Sequence, residues 1–288
     1  MIYTKKRVEQ ILKDIYRKRD PWTHKRKNGV VLVVAGSYQF SGSPIFSCMS
    51  AYRAGADLVM LVTPRRSADI AASYSPDLIA YAREKRFLDS DDVDFILGIA
   101  DECDSVLIGP GLSQDPETRK MVLKLINRLR KPMVIDADAI RFIGRNHRVL
   151  HDKKFIITPH LNEFLALTGM NAKFDTADRK SKVSDAAKRI GGTIILKGKD
   201  DVVADSKNIY VNQTGSPFMT KGGFGDCLAG ICAQFLAKGL SPFDAACAAV
   251  YLNGLAGEIA AGRYQDSVIA SDMFFSIPEA VAEIKKRR

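Results

Sequence analysis

The 288-residue sequence has only five cysteines (Cys48, Cys103, Cys227, Cys232 and Cys247), an odd set with no C-x-x-C pair. That excludes a disulfide scaffold, and thiols among apolar neighbours point to a reducing interior rather than to secretion. Histidine is scarcer still. His24, His147, His151 and His160 are scattered without H-E-x-x-H, so zinc-ligand spacing is missing. No run approaches the ~20 apolar residues that cross a bilayer, and no membrane association is expected. The opening stretch, MIYTKKRVEQILKDIYRKRD, lacks the uninterrupted apolar core of a signal peptide, and Glu9, Asp14 and Asp20 disfavour a mitochondrial presequence. A cytoplasmic location is expected. Two nucleotide-binding signatures are absent as well: no glycine leads into Lys and then Ser or Thr in a Walker frame, and Gly36–Gly42 is not G-x-G-x-x-G.

What is present describes an ordinary globular chain, 46% hydrophobic and 26% charged, long enough to bury a core without staples. Lys+Arg number 43 against 33 Asp+Glu, a formal charge of +10. Such an excess attracts nucleic acid, serves a polyanionic small substrate such as a nucleotide, or is solvated surface. The basic residues are spread out, with small clusters at Lys25–Lys27 and Lys285–Arg288. Aromatics do not interleave with them as a base-stacking platform requires, so nucleic acid is not the expected partner.

Short Val/Ile/Leu runs alternate with helical patterns. Strands are predicted at Val30–Ala35, Leu58–Val62, Leu78–Ala82, Ser105–Ile108, Met133–Asp136, Phe155–Thr158 and Thr193–Leu196, with a hairpin at Val202–Ala204 and Asn208–Val211. The early runs are apolar throughout, as parallel strands covered on both faces are. Helices are predicted at Pro44–Ala54, Pro116–Leu129 and Thr176–Ile190, then in unbroken succession at Asp226–Ala237, Pro242–Ala261 and Pro278–Lys286. This alternation specifies an α/β fold with a mostly parallel sheet. Near the N-terminus, Val8, Ile11, Leu12 and Ile15 recur at helical spacing. Residues 1–28 therefore read as a helical extension, a packing or oligomer arm anchored by Trp22, and residues 29–288 as one catalytic domain.

In such a sheet, functional residues gather beyond the carboxyl ends of the strands. The strand ends here run into Gly36–Pro44, Gly109-Pro110-Gly111-Leu112, Asp136-Ala137-Asp138, Thr158-Pro159-His160-Leu161-Asn162-Glu163 and Lys197-Gly198-Lys199-Asp200-Asp201. The sharpest segment follows them. In Lys221-Gly222-Gly223-Phe224-Gly225-Asp226, three glycines precede an apolar helix, so amides of Gly222, Gly223, Phe224 and Gly225 are positioned to form an anion hole with the helix dipole behind them. For a transferring phosphoryl group this stabilises charge spread over its oxygens. Asp226 beside the hole could accept a proton from an attacking hydroxyl, or could merely cap the helix. Asp136 and Glu163, acidic groups at neighbouring strand ends, could hold Mg²⁺ together with nucleotide phosphates, although turn chemistry explains Asp136 and Asp138 equally well. Cys227 reads as a packed, inert thiol.

The G-G-x-G-D segment, the K-G loop and the T-P-x-x-x-E strand end resemble the ribokinase-like superfamily, three-layer α/β/α proteins. Within it they are similar to the ADP/ATP-dependent NAD(P)H-hydrate dehydratases, over about Gly29 to Ala261. The resemblance implies dehydration of hydrated NADH or NADPH back to the reduced cofactor. ADP or ATP phosphorylates the ring hydroxyl and phosphate is then eliminated. It implies that Ser43, Gly111, His160 and Asp226 contact the hydrated cofactor. It also implies that Lys197, Gly198, Lys199, Asp200, Asp201 and Gly225 hold the adenine nucleotide, with Asp226 catalytic. Phe40, Ser43 and Phe224 stand where the family usually has tyrosine, alanine and threonine. A homo-oligomer, with a tetramer among the possible states, is implied too. Because residues 1–28 are too short for the epimerase domain of longer members, a separate epimerase polypeptide is expected. The rival readings are a small-alcohol kinase acting on a hydroxyethylthiazole or hydroxymethylpyrimidine, against which His160 speaks, and a non-catalytic nucleotide- or nucleic-acid-binding module.

Overall fold

The computed structural model describes residues 1–173 and 175–286; Phe174 and the Arg287 and Arg288 of the C-terminal basic cluster lie outside the described residues. The chain begins with α1 (Lys5–Ile15), β1 (Val30–Val34), α2 (Gly42–Arg53), β2 (Leu58–Pro64), α3 (Arg65–Tyr74), β3 (Ile79–Arg83) and α4 (Val93–Asp101). It continues through β4 (Ser105–Ile108), α5 (Pro116–Arg128), β5 (Met133–Ile135), α6 (Asp138–Ile143), β6 (Phe155–Ile157), α7 (Leu161–Thr168) and α8 (Thr176–Ile190). It closes with β7 (Thr193–Leu196), β8 (Asp201–Ala204), β9 (Ile209–Asn212), α9 (Phe224–Ala237), α10 (Pro242–Tyr264) and α11 (Met273–Lys286).

The sheet has the order β3-β2-β1-β4-β5-β6-β7-β8-β9. It is parallel from β3 to β7, and β8 and β9 return antiparallel as the predicted hairpin. Successive side chains point to opposite faces. Val31, Val33, Leu107 and Val134 therefore meet α1, α2, α9, α10 and α11 on one side, while Leu32, Val34, Val106 and Ile135 meet α4, α5, α7 and α8 on the other. Cover on both faces explains why these strands are apolar throughout. The expected ribokinase-like three-layer α/β/α arrangement is the observed one. Strand order reverses between β1 and β4, the place where open α/β sheets leave a crevice.

Helices α3, α4, α6 and α7 were not among the predicted elements. α11 starts at Met273, upstream of the predicted Pro278, because Met273, Phe274 and Ile277 are buried and carry the apolar stripe back past the proline. The expectation that no segment reaches membrane-spanning length needs correction at α10. Pro242–Ser267 is long and apolar enough by composition, but 83% of its most apolar window is buried inside the fold, as in a core helix. Trp22 does not anchor the N-terminal extension either, since its ring is 90% exposed. The extension is held by Val8, Ile11 and Leu12, which join the core beside α10 and α11. Tyr3 Oη donates to Asp244 at 3.0 Å, and Ile2 bridges Ile209 on β9.

The site-bearing helices α2 and α9 cross at backbone contact. A Cβ on Gly230 would lie 2.1 Å from the Ser47 carbonyl oxygen, and Ser47 Oγ donates to the Asp226 carbonyl at 3.2 Å. Gly230→Ala must push the helices apart and should cost about 1–3 kcal/mol, as overpacking does. Urea unfolding measures this; an unchanged midpoint would refute the close approach.

Candidate active site

The strand-end segments converge on a cavity of about 360 Å³ whose wall includes Phe40, Ser43, Gly111, Asp138, Glu163 and Asp226. Ser43 arrives in the first turn of α2, Gly111 after β4, Asp138 after β5, Glu163 on α7 and Asp226 on α9. Residues far apart in sequence meet because all of these parallel strands end at the same edge of the sheet.

Gly223 is the N-cap of α9. Its φ of +100° and the 2.6 Å that would separate a Cβ from Ala270 admit glycine alone without strain. No side chain caps this helix. The amides of Phe224, Gly225 and Asp226, in its first turn, have no intrahelical acceptor and remain free for an anion. Asp226 is the third helical residue, not the cap, which removes the bland explanation for it. Phe224 is 4% exposed and packed in the core, so a bulky apolar group at this position costs the amide cluster nothing.

Burial first, and then repulsion from Asp136, pushes the Asp226 carboxyl from an ordinary 3.8 up to about 7. A hydrogen bond from Ser43 and the charge of Lys197 pull the other way. Asp226 is thus poised to exchange a proton near neutrality. Lys197 is the common neighbour of the acidic groups. Its Nζ lies 3.1 Å from Asp136 Oδ1, and although burial opposes its charge, the fields of Asp136, Glu163 and Asp226 hold its pKa above the usual lysine value.

The K-G loop is divided. Lys197 turns into the acidic cluster, and half-buried Asp201 accepts from the Gly198 amide at 3.0 Å, its own carboxyl raised by desolvation to about 6. Asp200 accepts from Thr176 Oγ1 at 2.7 Å, while Gly198 and Lys199 stay exposed. Arg179, which the sequence reading missed, is 3% exposed and donates to the carbonyls of Leu196, Lys197 and Asp200, fixing the loop from below.

His160 stands at the start of α7. It is the N-cap of α7, its Nδ1 accepting from the amides of Asn162 and Glu163. With Nδ1 an acceptor, the neutral ring carries its proton on Nε2, 3.2 Å from Glu163 Oε1. Of the pair, Glu163 lines the cavity. Burial works against the Glu163 carboxylate, but hydrogen bonds from His160 and the field of Lys197 keep it below the ordinary range.

Asp136 and Glu163 do not fit the expected Mg²⁺ site. Asp136 is 1% exposed, with Oδ1 taken by Lys197 and by Thr158 Oγ1 at 2.6 Å, and Glu163 Oε2 takes the His160 amide. Among the described residues no group of three or more His, Cys, Asp or Glu side chains is arranged to hold a metal. Cys227 is buried and its thiol pushed up to about 12, the inert role expected. Arg141, a second residue the sequence reading missed, adds a cation to the cavity wall. It lies one helical turn beyond Asp138, which itself accepts from the Ser113 amide at 3.2 Å.

Sheet order, layers and the uncapped glycine-rich helix start define a ribokinase-like α/β protein, and known proteins agree. The ADP/ATP-dependent NAD(P)H-hydrate dehydratase of Bacillus subtilis, co-crystallised with ATP/Mg²⁺, superimposes with a TM-score of 0.83 over 98% of both chains at 24% identity, a likeness of fold. Residues 31–279 match a family model described as NAD(P)H-hydrate dehydratase. The bifunctional NAD(P)H-hydrate repair enzyme Nnr of Methanothermobacter thermautotrophicus is 38% identical over 268 residues, 91% of this chain and 51% of that protein. The ADP-dependent (S)-NAD(P)H-hydrate dehydratase of Cenarchaeum symbiosum is 36% identical over 266 residues, covering 92% of each. The chain spans about half the length of the bifunctional relatives it matches. It belongs to the NAD(P)H-hydrate dehydratase family.

The electrostatics give a direct test in the ligand-free protein. The Asp226 carboxyl carbon should titrate by ¹³C NMR near pH 7, and in Lys197→Met the midpoint should rise further because the opposing cation is gone. A midpoint near 4 would remove the desolvated carboxylate. The raised value also has a sign for stability: the folded state holds this proton more tightly than the unfolded chain, so the contribution is full below about 4 and lost as pH rises through about 7.

Proposed function

We propose that the chain catalyses the ADP- or ATP-dependent dehydration of hydrated NADH and NADPH. The observation that carries this reading is a desolvated carboxylate, Asp226, in the first turn of an uncapped helix that opens on the cavity. The hydrated nicotinamide ring lies in the cavity against Ser43 and Gly111, with the nucleotide along Gly198–Asp201 and Gly225. Asp226 takes the proton of the ring hydroxyl as that oxygen attacks the terminal phosphorus, and the bond from phosphorus to the leaving nucleotide breaks. The α9 amides hold the charge on the transferring group. The carbon–oxygen bond then breaks, inorganic phosphate departs, and loss of a proton from the adjacent ring carbon restores the double bond. Lys197 keeps Asp226 partly ionised, and Ser43 aims it.

Mg²⁺ belongs to this reading as a companion of the nucleotide, carried by phosphates and water rather than by a protein cage. So do a cytoplasmic location, a homo-oligomer, and residues 1–28 as an arm on a single catalytic domain, 29–288. A separate epimerase polypeptide is also part of it; the Cenarchaeum relative, matched over 92% of its length, carries a dehydratase name alone.

The test is return of reduced-nicotinamide absorbance when protein, hydrated NADPH, Mg²⁺ and ADP or ATP are mixed. Recovery is expected, with a rate that climbs with pH through about 7 as Asp226 ionises. Asp226→Asn should lower kcat by at least ~10²-fold, the usual share of a general base, at unchanged nucleotide affinity. Phosphorylation of a thiazole or pyrimidine alcohol without recovery would establish the kinase instead, and nucleotide binding without either reaction the non-catalytic module.

A further inference from the structure

A second cavity, larger than the candidate active site, lies elsewhere in the protein. It has a volume of about 900 Å³ and lies between α1, the 16–28 connection and the C-terminal end of α9. The anion-holding corner is at the opposite end of the same helix, about 21 Å away at 1.5 Å per residue. We propose that this second cavity binds a phosphate-bearing metabolite of nucleotide size, its phosphates on Arg17, Lys18, Lys27 and Lys238 and its base on Trp22.

Charge is the first argument. Arg17, Lys18, Arg19, Lys27 and Lys238 line the cavity, against the carboxylates of Asp14, Asp20 and Asp244. The carboxylates already have hydrogen-bond donors: Gln10 Nε2 reaches Asp14 at 3.0 Å, the Trp22 amide reaches Asp20 at 2.9 Å, and Tyr3 Oη and Ser241 Oγ reach Asp244 at 3.0 and 2.8 Å. Arg19 is partly satisfied by Asp57, 3.5 Å away. Among the described residues the side chains of Arg17, Lys18 and Lys27 have no hydrogen bond or ion pair. Lys238 Nζ donates to the Ile15 carbonyl at 3.1 Å. Burial, then the nearby charges of Arg19, Arg17 and Lys285, hold its pKa below the ordinary lysine value against the opposing pull of Asp57. Crowding cations around a half-buried amine costs free energy that a bound polyanion removes.

The aromatic ring is the second, independent argument. Trp22 lines this cavity yet is 90% exposed, and among the described residues it has no aromatic or cation–π partner. Ile11, Ile15 and Leu240 supply an apolar floor. A flat aromatic base would cover the ring, and base–aromatic stacking with adjacent cations is a favourable combination. One exposed indole in a concavity accommodates one base, whereas a nucleic-acid strand needs several stacking rings along an open track.

Trp22 is the only tryptophan in the chain, so its fluorescence reports on this cavity and not on the active site. ADP should quench it saturably, and inorganic tripolyphosphate should displace ADP while leaving the indole unquenched. Lys18→Glu/Lys27→Glu, both exposed positions, should weaken the ADP-dependent quench at least ~10-fold, the scale of losing charge-assisted contacts. Dehydratase turnover and the thermal midpoint should be unchanged in that variant, and Lys18→Gln/Lys27→Gln should fall between. The proposal is overturned by the absence of saturable quenching at millimolar ADP or by equal affinity in the charge-reversed protein. It is also overturned by single-stranded oligonucleotides that bind tighter than ADP in proportion to length. The readout does not depend on the reaction assigned above, so either can fail alone.

Discussion

One ammonium group underlies the acidic corner of this protein. Lys197 leaves β7 and turns inward, where Asp136 from the end of β5, Glu163 from α7 and Asp226 from α9 all feel its charge. Without that cation, carboxylates gathered at the ends of parallel strands would repel one another in a poorly solvated space, and the corner could not close. With it, the charges settle unequally. Asp136 is held at hydrogen-bond distance, Glu163 stays ionised beside His160, and Asp226, farthest from full compensation, is left as the group that takes up a proton near neutrality.

The supporting shell is built from ordinary parts placed close together. α9 begins at a glycine with no side-chain cap, which leaves its first amides free, and α2 crosses it at backbone contact, which presents Ser43 to Asp226. Arg179 ties down the loop that carries Lys197. At its other end α9 is followed by Lys238, where neighbouring cations outweigh the one nearby carboxylate, Asp57, and hold the amine's pKa down. A single rod of backbone thus separates a corner that is short of solvent from a cavity that is short of negative charge.

Much of this was legible in the sequence because it rests on local rules. Unbroken Val/Ile/Leu runs marked the parallel strands, and three glycines before an apolar stripe marked the start of α9. What escaped was set by tertiary partners. His160 precedes Glu163 by three residues, which is capping-box spacing, yet histidine is an unusual cap and its capping of α7 was not anticipated. Lys197 read as a nucleotide contact; only the fold shows which carboxylates converge on it. Asp136 and Glu163 read as metal ligands because their acidity was visible and their donors were not. Helices α6 and α7 are short and follow their strands closely, and Trp22 was read as an anchor from its place in the connection to β1.

The two borders of the sheet are protected by different means. Beyond β9 the segment around Ile2 adds one bridge to Ile209, and the Tyr3 amide donates to the Ile209 carbonyl at 2.9 Å, so part of the outermost backbone is already occupied. At the other border β3 is partly exposed and ends in Arg83, clamped to Asp92 at 2.6 Å and lying over the Phe95 ring. Unsatisfied strand borders recruit copies of themselves into aggregates. In a chain this rich in Val and Ile, the short N-terminal bridge and the charged clamp keep the sheet from templating intermolecular stacking.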